Sequence, residues 1–161
     1  MQPPRTPGDS DACPFTVQQF TESDIAHFRE LQRVFAEAFD DRDAYLSKPP
    51  SDAYVRRWLG SNRVIALAAF AEGTVVAGLV AYVLEKFEQE RSEIYIYDLA
   101  VAERVRRRGI ATALIRALQG IAKVRGAWVI YVQADYGDDP ATRLYESLGQ
   151  LEKVLHFDIP V

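Results

Sequence analysis

Tyr97-Asp98-Leu99-Ala100-Val101-Ala102-Glu103-Arg104-Val105-Arg106-Arg107-Arg108-Gly109-Ile110-Ala111-Thr112 is the stretch that decides the fold. Ile94 to Val101 is rich in Ile, Tyr and Val, the residue types that fill strands. From Ile110 the apolar period changes to a helical one, with Ile110, Leu114, Ala117, Leu118 and Ile121 recurring on one face. Gly109 sits at the junction, where a residue without a Cβ lets the backbone approach a ligand closely. The first turn of a helix leaves its N–H groups unpaired and carries the positive end of the helix dipole. A strand, an arginine-rich turn and a helix start therefore read as an anion-binding turn, suited to phosphate. The alternative is a surface helix start with a solvated basic cluster. Neither a full G-x-G-x-x-G nor a loop ending in Gly-Lys-Ser/Thr is present, so two common nucleotide-binding turns are excluded.

The chain of 161 residues is expected to form one domain, residues 13–161, behind a flexible tail over residues 1–12 that carries three prolines. The only cysteine is Cys13, which excludes an intramolecular disulfide, and the two histidines, His27 and His156, lie far apart. No metal site is expected. No apolar run is long enough to span a membrane and no signal-like start is seen, so a cytoplasmic protein without a membrane partner is expected. A net charge of −4 argues against nucleic acid as a partner and favours cationic small molecules. Arg104, Arg106, Arg107 and Arg108 form a short cluster without interleaved aromatics, a poor nucleic-acid patch.

Outward from the central stretch, residues 15–20 read as a first strand. Thr21-Glu22-Ser23-Asp24 marks a helix start, and the helix runs to about Phe39. The acidic, proline-ended segment 40–50 reads as a loop. Ser51-Asp52 caps a second helix that Gly60 stops. Residues 64–70 and 74–84 read as a hairpin, and 86–92 as a charged loop. Beyond the helix that begins at Ile110 lie a strand over 128–132 and a polar turn over 133–139. A helix follows, with Asp139 as its N-cap and Leu144, Tyr145 and Leu148 as its stripe, and residues 151–159 read as a last strand. This is a mixed α/β plan with a parallel crossover through the Ile110 helix.

Asp98 stands out as a carboxylate in a run otherwise made of Ile, Tyr, Leu and Val, which is costly to bury without a purpose. It is the first choice for a general base, acting directly or through a water; the alternative is a carboxylate satisfied by backbone or arginine. Strand parity groups Asp98 with Ile94 and Ile96, but a bulge would reverse the phase beyond it.

Arg106-x-x-Gly109-x-Ala111 resembles the pyrophosphate loop of the GCN5-related N-acetyltransferases (GNAT), and Ala141-x-x-Leu144-Tyr145-Glu146-x-x-Gly149 resembles their second signature. Longer runs are similar to the type I aminoglycoside 3-N-acetyltransferases, the gentamicin-resistance enzymes. These are Phe87-Glu88-Gln89, Arg91 to Val101, Tyr131 to Ala141, and His156-Phe157-Asp158-Ile159. Residues 62–159 carry most of the likeness.

The resemblance implies a GNAT fold, a mixed sheet of about six or seven strands flanked by about four helices. It implies acetyl-CoA as cosubstrate, with no metal, and transfer of the acetyl group to the 3-amino group of a deoxystreptamine ring. It also implies a homodimer. Under it, the turn Arg106, Arg107, Arg108, Gly109, Ile110 and Ala111 holds the pyrophosphate with Thr112, and the backbone of Leu99, Ala100 and Val101 pairs with the pantetheine arm. Tyr145 becomes the candidate general acid, or else only a packed aromatic. Asp135, Tyr136, Asp138 and Asp139, with Glu88 and Asp158 as weaker candidates, would attract a cationic aminoglycoside. Acetylation of a polyamine or a protein amine is the alternative activity, and a non-catalytic acyl-CoA-binding module the alternative class.

Overall fold

The computed structural model describes residues 14–161, so Cys13 and the expected tail over residues 1–12 lie outside the described residues. Five strands form one sheet in chain order: β1 (Phe15–Gln19), β2 (Val64–Ala71), β3 (Thr74–Glu85), β4 (Ser92–Val101) and β5 (Ala127–Val132). The pairs β1–β2, β2–β3 and β3–β4 are antiparallel, and β4–β5 is parallel. Among the described residues five helices, where about four were expected, complete the fold: α1 (Ile25–Ala38), α2 (Arg42–Leu46), α3 (Asp52–Leu59), α4 (Ile110–Val124) and α5 (Asp139–Glu146).

The sheet separates two apolar layers. On one face, Ile110, Leu114, Ile115 and Leu118 of α4 bury against Ile65, Leu67, Leu79, Ile94 and Ile96. On the other, Phe28, Leu31 and Phe35 of α1 and Val55 of α3 bury against Ala66, Ala68, Val80 and Ala100. Each of these large apolar side chains contributes about 1.5–3 kcal/mol by leaving water, which is why the 3.6-residue and 2-residue periods found their partners. The hairpin between β2 and β3 turns through Glu72 (φ 51°) and Gly73 (φ 77°), both left-handed, as a two-residue turn matched to strand twist requires.

Three expectations are corrected. Segment 40–50 is not all loop: Asp41 accepts a hydrogen bond from Ala44 N at 3.0 Å and caps α2, whose Tyr45 ring packs on Phe35 and Phe39. The N-cap of α5 is Asp138, which accepts from Ala141 N at 3.1 Å, so Asp139 occupies the first turn instead. Residues 151–159 form no strand; their backbone groups bond to no other described residue, and the sheet has five strands rather than six or seven. Among the described residues, no helix is long and apolar enough to cross a membrane.

Candidate functional site

The central strand β4 changes phase in its middle. Ile96 stands opposite Ala81 and Asp98 opposite Val80, so Tyr97 opposes no residue of β3. That bulge is the extra residue that flips side-chain parity. Before it, Ile94 and Ile96 face α4; beyond it, Leu99 and Val101 pack on that face, and Ala100 turns to the α1 layer. Asp98 turns with Ala100. Its Oδ2 accepts a hydrogen bond of 3.0 Å from the Tyr45 hydroxyl, whose ring belongs to the α1 layer.

Burial pushes the Asp98 carboxyl above the usual carboxylate range, and the bond from Tyr45 opposes that shift without cancelling it. Burial first, and then the Asp98 charge, pushes the Tyr45 phenol well above its ordinary value, so it remains a donor. An acceptor of raised proton affinity, oriented by a fixed donor, is what a general base needs.

The bulge also splits the sheet. β5 pairs with β4 only as far as Ile96, opposite Val132, whereas β3 follows β4 to Val101. The edge of β4 from Tyr97 to Val101 that would meet β5 is therefore open. Peptide groups on that edge have no β5 partner, the Val101 carbonyl alone being occupied by Arg106, and the remainder suit an extended, amide-bearing ligand arm.

At the end of the open edge lies the basic turn. Ala102 to Arg106 closes through bonds from Val105 N to Ala102 O (3.0 Å) and Arg106 N to Glu103 O (3.2 Å). Arg107 (φ 63°) and Gly109 (φ 77°) are both left-handed. The first bond of α4 runs from Ala113 N to Gly109 O, which leaves the N–H groups of Ile110, Ala111 and Thr112 without an intrahelical acceptor. No side chain caps them, and a Cβ on Gly109 would meet nothing within 4 Å. An uncapped helix start above open space, with Arg107 and Arg108 exposed beside it, fits a pyrophosphate. Arg106 differs from its neighbours: its Nε donates to the Val101 carbonyl at 3.1 Å, tying the turn to the strand end.

Tyr145 lies half-buried on α5, packed against the α4 layer with Leu144 and Leu148. Burial, and then the charge of Asp138, raises its phenol, and among the described residues its hydroxyl makes no hydrogen bond. The ring packs and the hydroxyl is free of a partner among the described residues.

Because β4 and β5 are parallel, the turn holding Asp135, Tyr136, Asp138 and Asp139 lies beyond the same end of the sheet as the basic turn. All four are exposed, and Asp138 is partly occupied as the helix cap. Glu88 is at the opposite end of β4, ion-paired with Lys86 at 3.2 Å. Asp158 is 98% exposed on the C-terminal segment, its carboxylate 3.1 Å from His156 Nε2. The structure brings neither of these two to the Asp98 site.

Sequence reasoning missed Tyr45 and a tyrosine face. Tyr95 stacks on Tyr131 with ring centres 4.9 Å apart, Tyr97 meets Tyr95 and Tyr82 edge-on at 5.9 and 5.6 Å, and the Tyr95 hydroxyl donates to Gln133 Oε1 at 2.8 Å. α1 and α3 do not cover this part of the sheet: Tyr97 and Tyr131 remain exposed. The signal was present in the period-two spacing of Tyr95 and Tyr97, with Tyr131 opposite Tyr95 in register. Among the described residues, no three His, Cys, Asp or Glu side chains gather as a metal site.

Comparison with known proteins agrees with this geometry. A crystal structure of the aminoglycoside acetyltransferase HMB0005, from an uncultured soil metagenomic sample, shares 54% identity with this chain. It superposes with a TM-score of 0.90 over 92% of this chain and 99% of that one. The aminoglycoside acetyltransferase meta-AAC0020, also from an uncultured soil metagenomic sample and solved with sisomicin, is 31% identical. Its TM-score is 0.85 over 91% of this chain and 96% of that one. An N-alpha-acetyltransferase of Sulfurisphaera tokodaii is 32% identical over 100 residues, 55% of this chain, and the chain spans only 60% of that relative's length. Acetyltransferases of the GNAT type take acetyl-CoA, the group that the uncapped α4 turn and the open β4 edge fit. Residues 27–150 match the Acetyltransferase (GNAT) family, and the chain belongs to it.

Proposed function

We propose that the protein acetylates an aminoglycoside on the 3-amino group of its deoxystreptamine ring, using acetyl-CoA. The observation that carries this reading is Asp98: a half-buried carboxylate with raised proton affinity, held by Tyr45 where the open β4 edge meets an exposed tyrosine face. The 54% identity to an aminoglycoside acetyltransferase supports the substrate class.

When bound, acetyl-CoA supplies an acetyl group activated as a thioester. The N–H groups of Ile110, Ala111 and Thr112, with Arg107 and Arg108, hold its phosphates. Peptide groups along Leu99, Ala100 and Val101 align the amide-bearing arm, and an N–H there polarises the carbonyl. Asp98 takes the proton from the attacking amine, directly or through one water. Tyr145 returns a proton to the departing sulfur from its free hydroxyl. An ordinary phenol titrates about 1.5 units above a thiol, and burial and the Asp138 charge raise Tyr145 further, so this last transfer is uphill and depends on local orientation. Asp135, Asp138 and Asp139 attract the ammonium groups of the substrate, while Tyr95, Tyr97 and Tyr131 offer flat faces for its sugar rings.

A second reading, acetylation of a protein N-terminus, is favoured by the 32% identity to an N-alpha-acetyltransferase. Thiol release from acetyl-CoA with gentamicin, sisomicin, spermidine or an N-terminal peptide separates the two. The proposal expects turnover on gentamicin and sisomicin, with NMR placing the new acetyl group on the 3-amino nitrogen. Faster turnover on the peptide or spermidine contradicts it, and acetylation at another nitrogen contradicts the regiochemistry.

A further inference from the structure

Six aromatic rings run across the α1 side of the sheet as one ribbon. Phe28 meets Trp58 with ring centres 5.3 Å apart, and Trp58 meets Tyr82 at 6.3 Å. Tyr82 meets Tyr97 at 5.6 Å, Tyr97 meets Tyr95 at 5.9 Å, and Tyr95 meets Tyr131 at 4.9 Å. Of these six side chains only Tyr97 and Tyr131 are exposed, by 61 and 38%. Tyr131 has one ring face against Tyr95, 15° from parallel, whereas Tyr97 meets both of its neighbours edge to face. Tyr97 is therefore the open ring of the ribbon.

The bulge accounts for that exposure. Tyr97 opposes no residue of β3, and β5 pairs with β4 no further than Ile96, so Tyr97 has no partner residue on either neighbouring strand. Regular alternation would put Tyr97 and Asp98 on opposite faces; the extra residue of a bulge lets both share one. Tyr97 leans on Tyr82, which packs with the α1 layer, and Asp98 reaches Tyr45 in that same layer. The carboxylate read as the base thus has an exposed aromatic ring as its immediate neighbour. Charge does not supply orientation at this place. Glu93 lies on the same side of β4, but its Oε1 already accepts from Lys86 Nζ at 3.1 Å and from Trp128 Nε1 at 3.2 Å. The exposed carboxylates of Asp135, Asp138 and Asp139 stand beyond the end of β5, where they attract a polycation without choosing which of its amines advances.

A flat ring makes that choice. The deoxystreptamine ring is a six-membered carbocycle with its polar groups around the rim, so its two broad faces present C–H bonds. Those are the groups that the electron-rich face of an aromatic ring attracts. Laid on Tyr97 by one face, the carbocycle turns one rim nitrogen toward Asp98; laid by the other, it turns a different one. We infer that Tyr97 is the specificity-determining residue of the transfer: stacked against the carbocycle of the aminoglycoside, it fixes which amino group gives its proton to Asp98. This rests on the aminoglycoside reading above and names the residue that sets its regiochemistry.

Three variants of the full chain test it, Tyr97→Phe, Tyr97→Leu and Tyr97→Ala, with NMR locating the acetyl group on the product from sisomicin and melting curves verifying that each is folded. Tyr97→Phe keeps the flat ring and is expected to keep the wild-type product and KM. Tyr97→Leu keeps apolar bulk without a flat face, and Tyr97→Ala keeps neither. Both are expected to raise the KM for sisomicin about tenfold, the equivalent of one aromatic contact, with the Kd for CoA unchanged. Both are also expected to place the acetyl group on more than one nitrogen. A single product on the wild-type nitrogen from Tyr97→Leu and Tyr97→Ala overturns the inference, whatever their KM, and leaves the aminoglycoside reading standing. Mixed products from Tyr97→Phe overturn it as well, because the hydroxyl and not the ring face would then select. A wild type that acetylates neither sisomicin nor gentamicin overturns both readings, and that failure shows before any substitution is made.

Discussion

The hydroxyl of Tyr45 donates a 3.0 Å hydrogen bond to Oδ2 of Asp98, joining α2 to the bulge of β4 across 53 positions of sequence. In the proposed mechanism Tyr45 orients the carboxylate that takes the proton and does not itself act on the substrate. Replacing it with Phe removes the hydroxyl and leaves the ring that packs on Phe35 and Phe39. A bond to a charged acceptor contributes about 1.5–3 kcal/mol to stability, so Tyr45→Phe is expected to lower Tm by several degrees and, with the carboxylate no longer held in place, to lower kcat about tenfold or more. The bond also lowers the Asp98 pKa against the effect of burial. Without it Asp98 holds its proton more tightly, and the acidic limb of the kcat/KM profile is expected to move to higher pH. A profile that stays in place would remove Tyr45 from this positioning role.

Tyr145 is packed through its ring and free at its hydroxyl, so Tyr145→Phe isolates the proton. The expected outcome is a fall in kcat of roughly a hundredfold, the lower end of general acid catalysis, with the KM for acetyl-CoA unchanged. An unchanged kcat would show that the ring's packing is its whole contribution.

Gly109 is left-handed at φ 77°, beside open space above the α4 start. An alanine there costs about 1–2 kcal/mol of backbone strain, which the turn relieves by moving its N–H groups. Gly109→Ala is expected to raise the Kd for CoA about tenfold, measured by calorimetry. Equal affinity in a folded variant would place the phosphates elsewhere.

Gly78 lies where α1 crosses β3. A Cβ on it would stand 2.9 Å from the Leu67 carbonyl oxygen and press on a methyl of Leu31. Overpacking of this kind costs about 1–3 kcal/mol, so Gly78→Ala is expected to shift the urea midpoint down accordingly. Adding Leu31→Ala should cost less than the sum of the two single changes, because one clash is relieved.

The two-layer core and the glycine-led, uncapped start of α4 were legible in the sequence because both depend on local periods: 3.6 in α4, 2 in β4, and a glycine at their junction. Asp98 was legible as an exception to its apolar run, but its direction was not. A bulge at Tyr97 reverses parity, and only the register of β3 against β4 reveals it. Tyr45 was hidden because α2 has only five residues and no apolar face of its own that is fully buried; tertiary contact with α1 forms it. The last expected strand failed for a different reason. Residues 151–159 carry the right alternation, but strand formation requires a partner edge that the described residues of one chain do not extend to them.

The central claim is that Asp98 is the base, and Asp98→Asn tests it most directly. Burial raises the Asp98 pKa above its ordinary value of 3.8. The native state thus holds the proton more tightly than the unfolded chain does, and stability from this group is lost as pH rises through the folded pKa. At neutral pH the asparagine variant, which keeps the bond from Tyr45 without a buried charge, is expected to be at least as stable as the wild type. With CoA affinity also retained, single-turnover acetylation of gentamicin should slow on the order of a hundredfold or more. Near-normal acetylation by a folded, CoA-binding Asp98→Asn protein would contradict the account.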